Sequence, residues 1–229
     1  MHNIRAILFD KDGTLFDFQA TWGAWARRLI AELAEGEPLV AQALADAMDY
    51  DVENQRFRPG SAVIAGTGRE VAELLAPVLP GQDVDALEVW IAAAAAEAPV
   101  AEAVPLRALL EGLRRHGYRL GVATNDFEAV ARRHVASVAD LFDFVVGFDS
   151  GHGGKPAPGM LLAFARSCDL APHQVLMVGD SRHDLIAGRA AGMATLGVLT
   201  GVAGAEDLAP LADLVRPDIG HLPQILGLD

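Results

Sequence analysis

The sequence predicts an α/β fold: a Rossmann-like parallel sheet core with helices on both faces, plus an inserted all-α domain. Three observations carry that expectation. Short apolar runs bounded by turn residues recur at the start of the chain and through its second half. Helical patterns lie between most of them. One long stretch, from Phe16 to about Val100, is rich in Ala, Leu and Glu and shows no clear strand. Strands that alternate with helices imply right-handed crossovers and a parallel sheet covered on both sides.

The elements follow in order. Ile4 to Phe9 reads as the first buried strand. Helices are then expected over Gln19 to Ala34, Leu39 to Asp49, Glu70 to Leu79 and Asp85 to Ala98. Pro38, Pro59-Gly60, Gly66, Gly68 and Pro80-Gly81 punctuate them. The chain returns to the sheet between Pro99 and Pro105. From there helices over Leu106 to Arg115, Phe127 to Val138, Pro158 to Cys168 and Asp184 to Ala191 alternate with strands. Those strands are Arg119 to Ala123, Phe144 to Val146, Val175 to Val178, Ala194 to Val198 and a short Leu214-Val215. Residues 1–15 and 101–229 then form the core, and 16–100 the helical insertion.

Composition narrows the function. The 229 residues are 52% hydrophobic, enough for a full core, and carry a net charge of −13. Such a balance argues against nucleic acid or an anionic membrane as partner. An anionic small substrate needs local positive charge or a metal. Cys168 is the only cysteine, so no intramolecular disulfide forms. The amino terminus has no signal-peptide pattern, and apolar runs such as Trp90 to Ala96 are too short to span a bilayer. A cytoplasmic protein, monomer or homodimer, is expected.

The unusual residues gather at four strand ends. They are Asp10-Lys11-Asp12-Gly13-Thr14, then Thr124-Asn125-Asp126, then Gly151-His152-Gly153-Gly154-Lys155-Pro156, then Gly179-Asp180-Ser181-Arg182-His183-Asp184. A parallel sheet brings these ends to one edge. Several carboxylates suit Mg²⁺. A hydroxyl, an amide, a lysine and loop N–H groups suit phosphate. A carboxylate can act as nucleophile, and a second as general acid and then base. Each residue also has an ordinary reading: Asp12-Gly13 as a turn, Asp180 as a helix cap, Lys155 as a loop charge. Asp184 is the softest acid, since a helix dipole favours a first-turn Asp. GHGGKP is not a Walker loop, because Pro156 stands where Ser or Thr is needed.

In order, FDKDGTL, GVATN, GGKPAPGML and VGDSRHDLIAGRAAGM make the chain resemble the haloacid dehalogenase superfamily of phosphatases. The insertion matches that family's small helical cap. The resemblance implies that Asp10 attacks phosphorus and that Asp12 serves as acid and then base. It implies Mg²⁺ held by Asp10, the Asp12 carbonyl and Asp180, with Asp184 in support. It implies further that Thr124 and the Asn125 main chain hold phosphate oxygens, and that Lys155 offsets charge on Asp10 and phosphate. Lys11 is expected to point away from Asp10 and Asp12, because side chains alternate along an extended strand.

Asp12 argues against the dehalogenases, which lack it. No lysine lies in the insertion to form a phosphonatase Schiff base; the two lysines are Lys11 and Lys155. Ala65-Gly66-Thr67-Gly68-Arg69 keeps the arginine of the sugar-phosphate mutases' cap loop but not its lysine and serine. Phosphoglycolate phosphatases are the nearest look-alike, with Arg69, backed by Arg56 and Arg58, as the candidate for a substrate carboxylate. Alternatives are a phosphatase of sugar phosphates or nucleoside monophosphates, a phosphomutase, or a non-catalytic binding module. GTLFDF is expected to be a flexible exit into a mobile cap. Gly159 departs from the acidic residue common in relatives.

Overall fold

The computed structural model describes residues 3–64, 66–79 and 81–228. Ala65 of the cap-loop stretch and the Pro80 break therefore lie outside the described residues, as do Met1, His2 and Asp229. The sheet strands are β1 (Ala6–Phe9), β4 (Arg119–Ala123), β5 (Phe144–Val146), β6 (Val175–Gly179), β7 (Ala194–Val198) and β8 (Leu214–Arg216). They run in the order β5-β4-β1-β6-β7-β8, and every neighbouring pair is parallel. The six expected strands are thus present, each within two residues of its expected bounds.

Strand β1 is the switch point of the sheet. Phe9 is level with Val122 on one side and with Val178 on the other. The residues that follow these three positions emerge together at the carboxyl edge, where open α/β sheets place their ligands. Along β1 the side chains alternate. Ile7 and Phe9 pack with Leu106, Leu110 and Leu113 of helix α5 (Leu106–Arg115). Ala6 and Leu8 pack with Met160, Leu161 and Phe164 of α7 (Gly159–Ser167). All of these are buried, so both faces are covered and the strand ends are held rigidly.

Between β1 and α5 the chain forms α1 (Phe18–Ala34), α2 (Pro38–Ala47), α3 (Gly68–Leu75) and α4 (Val84–Ala96). None of these residues joins the six-stranded sheet. They enclose an apolar cluster of their own around Trp25, Leu29, Leu44, Leu75 and Leu87. Asp17 starts α1 by accepting from the Ala20 N–H at 2.8 Å, and Asp83 starts α4 by accepting from the Ala86 N–H at 3.0 Å. The expectation of a purely helical insertion needs one correction. Tyr50–Asp51 (β2) and Arg56–Phe57 (β3) form a small antiparallel ribbon. Tyr50 anchors it by meeting Phe57 edge to face and donating its hydroxyl to the Gly23 carbonyl at 2.7 Å. Two residues per strand leave no alternating pattern to read.

Elsewhere the expected Phe127 to Val138 helix is α6 (Glu128–His134) followed by a looser turn over Ala136–Leu141. Helix α8 spans Arg182–Ala191. The exit segment after Asp12 is packed rather than loose. Leu15 and Phe16 are buried, and the N–H groups of Leu15 and Phe16 converge on the Lys11 carbonyl. The outgoing and returning chains are tied side by side: Asp17 N–H donates to Ala101 O at 2.8 Å, and Ala103 N–H to Leu15 O at 2.9 Å. No helix among the described residues is long and apolar enough to cross a membrane.

Candidate active site

The four motif loops converge on one cavity between the sheet edge and the insertion. Asp10 follows β1, Thr124 follows β4, Lys155 comes from the loop before α7, and Asp180 and Asp184 follow β6. Every one of these side chains is buried.

Lys155 is the hub of the first group. Its ammonium donates to Asp10 Oδ1 at 2.5 Å, Asp184 Oδ1 at 2.6 Å and the Ala123 carbonyl at 2.8 Å. Asn125 fixes the loop that carries it: its amide donates to the Lys155 carbonyl at 2.8 Å, and its Oδ1 accepts from the Lys155 N–H at 2.7 Å. The peptide between Lys155 and Pro156 is cis. Burial alone pulls the Lys155 ammonium's pKa down, yet the charges of Asp10 and Asp184 outweigh that and raise it. It is a permanent cation.

The acids are under opposite pressure. Burial pushes Asp10 up to about 7, with Asp184 and Asp12 adding to it against Lys155. Asp180 is also pushed well above the carboxylate range, by burial first and then by Asp10 and Asp184. Oxygens of Asp10, Asp180 and Asp184 all lie within 4.8 Å of one another. Three carboxylates thus share one ammonium, which leaves two negative charges uncompensated when all are ionised. A divalent cation would balance that charge, and an all-oxygen donor set suits a hard cation such as Mg²⁺. Backbone closeness serves the same cluster. Gly13 has φ +82°, and a Cβ there would lie 2.3 Å from Asp180 Oδ2.

Asp180 does not cap helix α8; Ser181 does. The Ser181 hydroxyl accepts from the Asp184 N–H at 3.4 Å, and Asp184 Oδ2 accepts from the Ser181 N–H at 3.0 Å. Asp184 therefore does two things. One oxygen closes the helix start and the other meets Lys155. Thr124 Oγ1 accepts from the Asp126 N–H at 3.1 Å, which leaves its proton to donate into the cavity.

A second buried ion cluster was missed in the sequence. Lys11 was expected to point away, but its ammonium turns back to Asp12 Oδ2 at 2.8 Å and Asp126 Oδ2 at 2.9 Å. It also donates to His134 Nδ1 at 3.0 Å, and the His134 Nε2–H donates to the Ala95 carbonyl at 3.0 Å. Burial and Lys11 push His134 down to about 4, so it is neutral. Trp22 completes the group by donating its indole N–H to Asp12 Oδ1 at 2.8 Å, and its ring lies 5.2 Å from the ammonium. The alternation argument failed because the strand ends at Phe9, so Lys11 lies on the turn beyond it. Lysine's four-carbon stem then reaches around. The signal available in the sequence was scarcity. A chain with two lysines buries both, each between a pair of site carboxylates.

Arg69 lies apart from the cavity. It leaves α3 on the outer side and pairs with Glu73 at 2.8 Å, Glu88 at 3.2 Å and Asp85. It does not line the cavity, and neither do Arg56 and Arg58. The cause is local. A capping box between Thr67 and Glu70 fixes the start of α3 and turns its second residue toward α4. Gly159, the departure noted above, has a steric reason: a Cβ there would lie 2.0 Å from the His152 carbonyl.

Comparison with known proteins agrees with this geometry. A family model for haloacid dehalogenase-like hydrolases matches residues 4–192. The chain is 29% identical over 226 residues to the phosphoglycolate phosphatase of Nitrosospira multiformis, covering 97% of this chain and 96% of that one. It is 26% identical to the pyrophosphatase PpaX of Anoxybacillus flavithermus, over 99% and 98% of the two chains. A crystal structure of a predicted phosphoglycolate phosphatase from Haemophilus somnus superposes with a TM-score of 0.75 at 20% identity, over 98% and 99% of the two chains. With its motifs at four adjacent strand ends and the match over most of its length, this chain belongs to the haloacid dehalogenase-like hydrolases.

Proposed function

We infer that this chain is a Mg²⁺-dependent phosphatase of a small phosphate monoester, working through an aspartyl-phosphate on Asp10. The observation that carries the reading is the buried trio Asp10, Asp180 and Asp184 around one ammonium. Such a cluster is costly in the absence of a cation and is suited to one.

Residues 1–15 and 101–229 act as the catalytic core, and 16–100 as the cap over it. Asp10, Asp180, Asp184 and the Asp12 main chain would hold Mg²⁺. When bound, the ion supplies positive charge against the nucleophile and the phosphoryl oxygens. Asp10 attacks phosphorus while Lys155 holds its other side by hydrogen bond. Thr124 and Asn125 orient phosphoryl oxygens. Asp12 protonates the leaving oxygen, then takes a proton from the water that hydrolyses the acyl phosphate. Lys11 and Trp22 hold the two oxygens of Asp12 in place for both steps.

Relatives of similar identity carry the names phosphoglycolate phosphatase and pyrophosphatase. Phosphoglycolate is thus a reference substrate, beside sugar phosphates and nucleoside monophosphates. The test is phosphate release from an aryl phosphate with Mg²⁺ and with EDTA. Turnover that EDTA abolishes and Mg²⁺ restores is expected; none on any ester would leave a binding module.

Thermal unfolding gives a second readout. The pKa of Asp10 in the fold, about 7, lies above its value of about 4 in an unfolded chain. Its contribution to stability is full below the unfolded value and is lost as pH rises through about 7. The metal-free protein should therefore lose stability as pH rises from about 4 to about 7, with little further loss above that. Mg²⁺ should raise Tm more at about pH 8 than at about pH 6. Asp180→Asn should raise the metal-free Tm and remove most of the Mg²⁺ shift. A wild-type Mg²⁺ shift that persists undiminished in the variant would contradict the ligand assignment.

A further inference from the structure

The cavity has two chemically distinct halves. The sheet side holds all of its charged side chains among the described residues. The insertion side is walled by Trp25 of α1, Val63 and Ile64 of a single turn, Val71 of α3, and Ile91 and Ala95 of α4. No ionisable side chain from the insertion lines it among the described residues. Even the indole donors are withdrawn. That of Trp22 is used on Asp12, and that of Trp25 is buried without a partner, its ring set at 88° to that of Trp22. Val63 and Ile64 remain only half-buried, apolar surface left at the cavity wall.

We propose that the group released from phosphate is an apolar alcohol, alkyl or aryl, seated against this wall. The assignment deepens the phosphatase reading and rests on it. Phosphate at Asp10, Thr124 and Lys155 fixes one end of the ester, and the wall is continuous with that end in one cavity. A glycolate carboxylate turned toward this wall would lose its water and find no cation, since Arg69 is held by Glu73, Asp85 and Glu88 outside. An alkyl chain loses nothing there, and each methylene it buries strengthens binding of the transition state.

The experiment is kcat/KM with Mg²⁺ for ethyl, butyl and hexyl phosphate, beside phosphoglycolate and glucose 6-phosphate. The leaving alcohols of the alkyl series have nearly equal acidity, so a trend reports burial and not reactivity. A rise of up to about fourfold per methylene is expected, with phosphoglycolate below butyl phosphate. Ile64→Lys places a cation on the wall at a half-buried position. It should flatten the alkyl trend and raise phosphoglycolate turnover by roughly tenfold. Mg²⁺-dependent turnover with a flat alkyl series and phosphoglycolate preferred would overturn this assignment alone. No turnover on any ester would overturn the phosphatase reading and this assignment with it.

Discussion

Asp10→Asn abolishes turnover, by about 10⁴-fold or more, and leaves the fold intact. The loss is large because the nucleophile itself is removed; deleting a nucleophile in a covalent enzyme removes most of its rate acceleration. An amide cannot form an acyl phosphate. The fold survives for a separate reason. The amide oxygen of the substituted side chain can still accept from Lys155, whose ammonium lies 2.5 Å from Asp10 Oδ1 in the wild type. Burial already pushes the Asp10 carboxyl up to about 7, so its charge is not what holds the sheet edge together. The metal-free Tm of the variant should equal or exceed that of the wild type. Residual Mg²⁺-dependent activity near the wild-type level would remove Asp10 from the mechanism.

Lys155→Met has the second-largest effect, and on two quantities at once. Activity should fall by roughly 10²- to 10³-fold, the usual result of deleting a preorganised charge beside developing negative charge. Stability should also fall. Lys155 lies between Asp10 and Asp184 and is 3% exposed in its side chain. Breaking a buried pair from one side costs about 3–5 kcal/mol. The cost depends on pH with a definite sign. Removing the ammonium removes the interaction that lowers Asp10, so its pKa rises further above the unfolded value. Protonation then relieves the cluster at low pH and not at high pH. The Tm difference from wild type should be small at about pH 5.5 and on the order of 10 °C at about pH 8. A deficit that is constant across that range would mean that Lys155 acts by packing alone.

The sheet was legible because its signals are local and redundant. Each buried strand is a short apolar run closed by a turn, and each crossover helix has its own apolar stripe. The convergence of the cavity's acids was legible because each closes a strand or opens the helix after it, and the sheet brings those ends together. The β2–β3 ribbon was not, since two residues per strand carry no period. Nor was the course of Lys11, whose ammonium contacts Asp126 and His134, the latter 123 positions away in sequence. Contacts of that range have no local trace. Arg69 shows how local capping places a side chain. A motif position suggested a substrate contact, and the capping box between Thr67 and Glu70 decided where the side chain went.

Two halves of one cavity then account for the whole molecule. The sheet gathers charge at one edge, and the insertion covers that edge with apolar side chains. The central claim is the covalent step on Asp10. It is tested most directly by quenching the Mg²⁺-loaded enzyme in acid during turnover of an alkyl or aryl phosphate, then reducing it with borohydride. Reduction converts an aspartyl-phosphate to homoserine, which peptide mass spectrometry locates. Homoserine in place of Asp10, absent without substrate and absent in Asp10→Asn, is the predicted result. Rapid phosphate release with Asp10 unmodified, or homoserine at another aspartate, would contradict it.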